Sequence, residues 1–242
     1  MGHGWEGVVL KLMRGRDFTF TVTGAEQVTE DFRRVHLTDG GLLAATKGAH
    51  PTMWVRLWFE QAGKPHQRAY TLVDPDPAAG TFSLEFALHD GTASDWARTV
   101  EPGATIEATL QGTGFDLPEP APARLFLIGD AASLPAINSV LDAVPDAAAT
   151  IWFETAHASD KELPFRLDPA RHTLHHLERR DAGAHLVAEV KAALPDLLGG
   201  DTSDAYVWIA CDTVTTRALG AYVRKELKVP RNRVNALGYW LP

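Results

Sequence analysis

"LPEPAPARLFLIGD", residues 117 to 130, divides the chain into two kinds of sequence. Pro118, Pro120 and Pro122 alternate, and each fixes its own φ and drives the residue before it out of the helical region. The result is a stiff, extended connection. The run Leu125 to Ile128 is apolar without alternation, the pattern of a parallel strand buried on both faces. It ends in Gly129-Asp130, a flexible residue followed by a helix-capping one. The two sides of this stretch are therefore expected to build different architectures.

Upstream, short segments alternate apolar and polar residues between turns: "FTFTVTG", "FRRVHLTD", "MWVRLWF", "QRAYTLVD", "TFSLEFALH" and "ATIEATL". Six strands at this spacing predict an antiparallel barrel or sandwich, with a helix inserted at "TASDWARTV". The "DPDP" at 74–77 reads as a turn after the fourth strand. Downstream, strands alternate with helices. "SLPAINSVLDAV" follows the first strand, and "ATIWFETA", "HTLHHLE", "GAHLVAEVKAAL", "AYVWIAC", "TVTTRALGAYVRKEL" and "VNALGYW" continue the alternation. That order predicts an open parallel α/β sheet. The expected domains are 15–119 and 120–242.

Bulk properties exclude several function classes. A formal charge of −8 over 242 residues, without clustered Lys and Arg, argues against nucleic acid. No apolar run is long enough to span a membrane, and no signal peptide is read at the amino terminus. The single Cys211 excludes an internal disulfide and fits a reducing compartment, so a cytoplasmic protein is expected. A monomer is expected as well.

Candidate site residues fall in three places. In "HQRAYTLVD" the strand carries Arg68, Tyr70 and Thr71 where a packing strand would carry Val or Ile. In "LHDGTASDWA", His89, Gly91 and Thr92 precede a helix start at Ala93-Ser94, and Trp96 follows. Free N–H groups at such an end suit a diphosphate, while an ordinary capped turn explains the same residues. In the α/β half, Gly129, Asp130 and Ser133 close one strand and Cys211-Asp212 another, at the edge where doubly wound sheets bind ligands. Capping of the next helix accounts equally well for both. His172, His175 and His176 lack the spacing of a zinc site and read as a solvated strand face. No GxSxG elbow is present, and the sequence supplies no base for Cys211.

Taken in order, "RAYTLVD", "LHDGTASDWA", "IGDAASLPAI" and the closing "LGYW" resemble the motifs of the siderophore-interacting proteins, flavin-dependent ferric-siderophore reductases of the ferredoxin-reductase-like group. The resemblance runs from about Arg34 to Trp240. It implies a six-stranded, FAD-binding antiparallel β-barrel followed by a parallel-sheet domain that binds NADPH or NADH. By resemblance, Arg68 offers its fork of donors to the FAD phosphates, Tyr70 lies against the flavin and Thr71 bonds its polar edge. The segment His89 to Trp96 contacts the diphosphate and adenosine. Gly129, Asp130, Ser133, Cys211 and Asp212 face the pyridine nucleotide, Arg179 or Arg180 is the candidate to meet an NADPH 2′-phosphate, and Tyr239 and Trp240 either pack close to the flavin or siderophore pocket or only seal the sheet edge. A ferric siderophore is the implied substrate; the alternatives are a general NAD(P)H:flavin or quinone reductase of the same fold, one fed by ferredoxin, or a non-catalytic flavoprotein or chelate-binding protein. Basic residues near the flavin would attract an anionic chelate, with Lys47, Arg56, Lys64 and Lys225 as candidates. An opposing arrangement pairs Arg68 with Asp74 or Asp76.

The chain departs from the family pattern at three points. "HDGTAS" is shorter than usual, Ala131-Ala132 replaces Glu-Thr, and Cys211-Asp212 stands in place of Gly-Glu.

Overall fold

The computed structural model describes residues 15–242, which separate into two compact units, 15–115 and 116–242. The first is a closed antiparallel barrel. Its strands are β1 (Arg16–Thr29), β2 (Phe32–Thr38), β3 (Trp54–Gln61), β4 (Lys64–Asp76), β5 (Thr81–Ala87) and β6 (Thr105–Leu110). They close in the order β1-β2-β5-β4-β3-β6. A short helix α1 (Leu42–Thr46) follows β2, and α2 (Thr92–Thr99) bridges β5 and β6.

Period-two alternation decides which side chains fill the barrel. Phe20 and Val22 of β1, Val35 and Leu37 of β2, and Leu84 and Phe86 of β5 are all buried in one core. The predicted turn at 74–77 is corrected: β4 continues to Asp76, with an irregular register between Val73 and Asp76 and Asp74 at φ 47°. Pro75 and Pro77 have no N–H to give to a ladder, so the strand bulges at this point. The turn then forms one step later, where Asp76 Oδ1 accepts from the amides of Ala78 and Ala79.

The second unit is a five-stranded parallel sheet in the order β11-β10-β7-β8-β9. These are β7 (Arg124–Asp130), β8 (Ala148–Thr155), β9 (His172–Glu178), β10 (Ala205–Ala210) and β11 (Val234–Ala236). Helices α3 (Leu134–Ala143), α4 (Ala184–Leu198) and α5 (Thr213–Lys225) connect them. Every residue of β10 is buried, as a strand covered on both faces requires. Buried Arg233 donates to the carbonyls of Pro120 and Ala205, so the proline-rich segment is fastened to this unit.

Two expectations need correction here. The last strand was expected to reach Trp240, but the β11 ladder stops at Ala236. The chain continues beside β10 through bonds from Leu237 N to Ile209 O and from Tyr239 N to Cys211 O, and one bridge joins Asp212 to Trp240. Gly238 explains the close passage, because a Cβ there would lie 2.6 Å from Thr213 Cγ2. Nor do the β9 histidines form one solvated face. Strand alternation exposes His175 but half-buries His172 and His176, the latter edge-on to Phe153. Among the described residues no group of three or more His, Cys, Asp or Glu side chains could hold a metal ion.

Candidate functional site

On the barrel, β4 holds the first cluster. Tyr70 is half-buried against Phe86, ring centroids 4.3 Å apart, and edge-on to Phe59. Trp96 of α2 packs on the same two phenylalanines, at 5.6 Å and 5.8 Å. One aromatic cluster thus ties the Arg68-Tyr70-Thr71 strand to the helix that begins at Thr92. Burial pushes the Tyr70 phenol above its ordinary pKa, against the pull of the Arg68 charge. Thr71 is buried.

Arg68 is exposed, and its Nη1 donates to the Gln67 carbonyl at 2.8 Å. No described carboxylate pairs with it, so the arrangement with Asp74 or Asp76 is not present. The start of α2 is equally open. Gly91 occupies the cap position at φ 141° and provides no side-chain cap. The buried Ser94 hydroxyl is turned back to accept from His89 N at 3.1 Å, while His89 Nδ1 meets Asp90 O at 2.7 Å. The first amides of a helix have no partner within it, so Thr92, Ala93 and Ser94 present N–H groups with the positive end of the helix dipole behind them. An uncommitted guanidinium and an uncapped helix start fit the anionic tail of a dinucleotide such as FAD.

The carboxyl edge of the parallel sheet is organised in the opposite way. Gly129 is demanded by its own turn: a Cβ would lie 2.2 Å from Ser133 Oγ and 2.8 Å from Ile137 Cδ1. Asp130 accepts from Ala132 N, and fully buried Ser133 accepts from Asp130 N at 2.9 Å, which completes a capping box. Asp212 caps α5, with Oδ1 accepting from Val214 N and Thr215 N and Oδ2 from Thr215 Oγ1. Cys211 is wholly buried in the core of this unit. Burial, with the nearby carboxylates, raises its thiol pKa well above the ordinary value.

Glu154, at the end of β8, was not singled out from the sequence. It is 2% exposed, its Oε2 accepts from Arg179 Nη1, and its Oε1 has no hydrogen-bond partner. Arg179 also reaches Asp212 Oδ2 at 3.3 Å through both terminal nitrogens. Its guanidinium lies 4.9 Å from the centroid of the Trp240 ring. The Trp240 indole donates to Asp130 Oδ2 at 2.8 Å, and Tyr239 packs edge-on to Trp208. Three carboxylates thus lie at the ends of adjacent strands with one arginine among them: Glu154 and Asp212 share Arg179, and Asp130 is held by the indole.

Their protonation follows from that ratio. Burial pushes the Asp130 carboxyl up to about 7, opposed by the Trp240 hydrogen bond and assisted by the charge of Glu154. Burial also raises Glu154, with Arg179 opposing. At Asp212 burial acts in the same direction, but the bonds from Thr215 and Val214 outweigh it and hold this carboxyl below its usual range.

Arg179 was expected to meet a 2′-phosphate. The structure commits its fork to Glu154 and Asp212, because two buried carboxylates cost several kcal/mol apiece without a counter-charge. Arg180 is paired with Glu178. Of the suggested basic residues, Arg56 lies over Trp54 at 4.7 Å and Lys225 sits on α5 in the α/β unit. Glu154 carried one sequence signal, a charged residue closing an apolar strand. Such a residue also occurs at any solvent-facing strand end.

The antiparallel barrel followed by a parallel sheet is the architecture of ferredoxin-reductase-like flavoproteins. Similar folds include a ferredoxin-NADP+ reductase of Plasmodium falciparum (TM-score 0.69, 12% identity, 93% of this chain and 97% of that one). A siderophore-interacting protein of Aeromonas hydrophila is another (TM-score 0.78, 24% identity, 94% and 92%). The chain belongs to the siderophore-interacting protein family: residues 122–242 match the siderophore-interacting protein model, and 46–110 match the siderophore-interacting FAD-binding domain. Among curated relatives, it is 35% identical over 248 residues to a mycobactin import ATP-binding/permease protein of Mycobacterium tuberculosis, covering 99% of this chain and 28% of that one. The chain thus spans little more than a quarter of that relative. A ferric acinetobactin reductase of Acinetobacter baumannii is 23% identical over 198 residues, 78% of this chain and 66% of the relative.

Proposed function

We propose that this chain is a ferric-siderophore reductase in which FAD, held on the barrel by Arg68 and the start of α2, passes electrons from NADPH or NADH to a chelated Fe(III). The observation that carries the reading is an uncommitted Arg68 guanidinium on β4 and an uncapped start of α2, two elements joined through the aromatic cluster of Tyr70, Phe86 and Trp96. Arg68 anchors a phosphate through charge-assisted bonds, the α2 amides receive the rest of the diphosphate, and Tyr70 walls the ring. A bound flavin supplies the conversion of a two-electron donor into single-electron delivery. Fe(II) is held weakly by hard oxygen donors and leaves the chelate. The protein needs no iron ligands of its own for this. The mycobactin-import relative makes a mycobactin-class chelate the first substrate to try.

A second reading keeps the flavin and replaces the pyridine nucleotide with a protein donor such as ferredoxin. It is favoured by the strand edge, where Ser133, Cys211, Asp212 and Arg179 are all engaged internally. The test has three stages. The purified chain should take up FAD and show a flavin spectrum. Anaerobic NADPH or NADH should bleach it, and ferric mycobactin should restore the colour as an Fe(II) trap fills. A protein that stays colourless in excess FAD overturns the proposal. Flavin that only a reduced ferredoxin bleaches selects the second reading.

A further inference from the structure

A cleft of about 430 Å³ runs along the outer face of α5, beside β11 and the segment after it. Its floor is nearly bare of side chains, made by Gly220, Ala221, Ala236 and Gly238. Its walls carry three cations, Arg217, Arg224 and Lys225, and no carboxylate lines it. In a chain of formal charge −8, that local balance is unusual. The two arginines that follow β9 are, by contrast, neutralised: Arg179 by Glu154 and Asp212, Arg180 by Glu178. Neither Arg217 nor Lys225 has an ion-pair partner among the described residues.

The cations are placed, not merely present. Arg224 Nη2 donates to the Val234 carbonyl at 3.2 Å, which holds the guanidinium across the cleft. Gly220 makes the room: a Cβ there would lie 3.2 Å from Arg224 Nη1 and 3.1 Å from Ala236 Cβ. Arg224 and Lys225 also oppose the negative end of the α5 dipole, and that would explain them alone. It does not explain Arg217, which lies in the first half of the helix, where a cation gains nothing from the dipole. Seven residues separate Arg217 from Arg224, two helical turns and about 10 Å along the axis. The cleft therefore offers two cationic stations. Arg217 lies with Thr213 and Thr216 at one end of the lining, Arg224 lies with Lys225 at the other, and the neutral floor completes the cleft.

The geometry points to a binding site for a small molecule carrying two separated phosphates, one at each station. The volume suits a nucleotide-sized ligand. Arginine forks at both ends favour phosphate oxygens, which accept paired charge-assisted bonds. This site is distinct from the flavin wall proposed above and does not depend on it. A free nucleoside bisphosphate and the 2′-phosphorylated half of NADPH share the required chemistry, and the test separates them.

Calorimetric titration of the full chain with adenosine 2′,5′-bisphosphate and with AMP should show the bisphosphate binding at least about tenfold more tightly. Arg217→Gln, on an exposed helix face, should bring the bisphosphate down to the affinity of AMP with an unchanged melting temperature. Lys161→Gln, an exposed cation in the short turn after β8 and outside the cleft lining, should change the binding of neither ligand. If NADP+ outbinds NAD+ by the same ratio, and Arg217→Gln abolishes the difference, the occupant is the pyridine nucleotide. If NADP+ and NAD+ bind alike while the free bisphosphate keeps its advantage, the occupant is a separate metabolite. Equal affinity for bisphosphate and AMP overturns the site, as does bisphosphate binding that survives Arg217→Gln undiminished. Either result stands whether or not any donor bleaches a flavin.

Discussion

The barrel wall and the edge of the parallel sheet carry the same kinds of residue and use them oppositely. At the wall, Arg68 has only a backbone carbonyl for a partner, and α2 begins without a side-chain cap. At the edge, Arg179 is held by two carboxylates, Asp130 and Ser133 cap one another's turn, and Asp212 caps α5. The difference is burial. An exposed guanidinium is solvated and can wait for a ligand, whereas carboxylates taken out of water must be paired in the folded chain itself. Charge at the wall is available for binding, and charge at the edge is already spent on folding.

The sharpest way to break this contrast is to remove the arginine from each region. Arg179→Met leaves Glu154 and Asp212 buried without a counter-charge and should lower stability by about 3–5 kcal/mol in urea unfolding. A loss under about 1 kcal/mol would mean that the edge carboxylates are not held as described. Arg68→Ala should leave stability nearly untouched while weakening FAD by about 1.5–3 kcal/mol, measured by flavin fluorescence titration. Full FAD affinity in that variant would remove Arg68 from the cofactor's phosphates.

The protonation of the edge sharpens the contrast further. Asp130 has a folded pKa of about 7, above its unfolded value near 3.8. The folded state therefore binds the extra proton, and this group's stabilisation is complete below the unfolded pKa and lost as pH rises towards 7. Across that window the loss approaches about 1.4 kcal/mol per pH unit. Asp130→Asn should remove that slope from stability measured between the two values, and an unchanged slope would assign the proton elsewhere. The smallest effect is expected for Trp240→Phe. It keeps a ring under Arg179 but deletes the indole donor, at a cost of about 0.5–1.5 kcal/mol in the same assay.

Legibility in the sequence varied with the range of the physics involved. The barrel's strands were readable because alternation of Phe20, Val22, Val35 and Leu37 is a local consequence of the pleat, while the choice between barrel and sandwich rests on which strands pair. The parallel sheet was readable because "RLFLIGD" and "AYVWIAC" are apolar throughout. Arg68 and Tyr70 stood out as polar residues in a strand. Glu154 did not stand out, since nothing near it in the chain reveals that Arg179, 25 residues later, folds over it (Glu154 to Arg179). The continuation of β4 past Asp74 was hidden for a related reason: proline marks a break in hydrogen bonding, but only the neighbouring strand decides between a turn and a bulge.

By itself, the sequence determined an antiparallel β half followed by a parallel α/β half, because hydrophobic period and proline spacing act over a few residues. It also determined which residue types were available for chemistry. Only the tertiary structure decided which of those were free. Arg68 and Arg179 are the same side chain at a strand and at a strand end. What separates them is the set of buried carboxylates that β8 and β10 bring beside one and not the other, a property of strand order that no local pattern records.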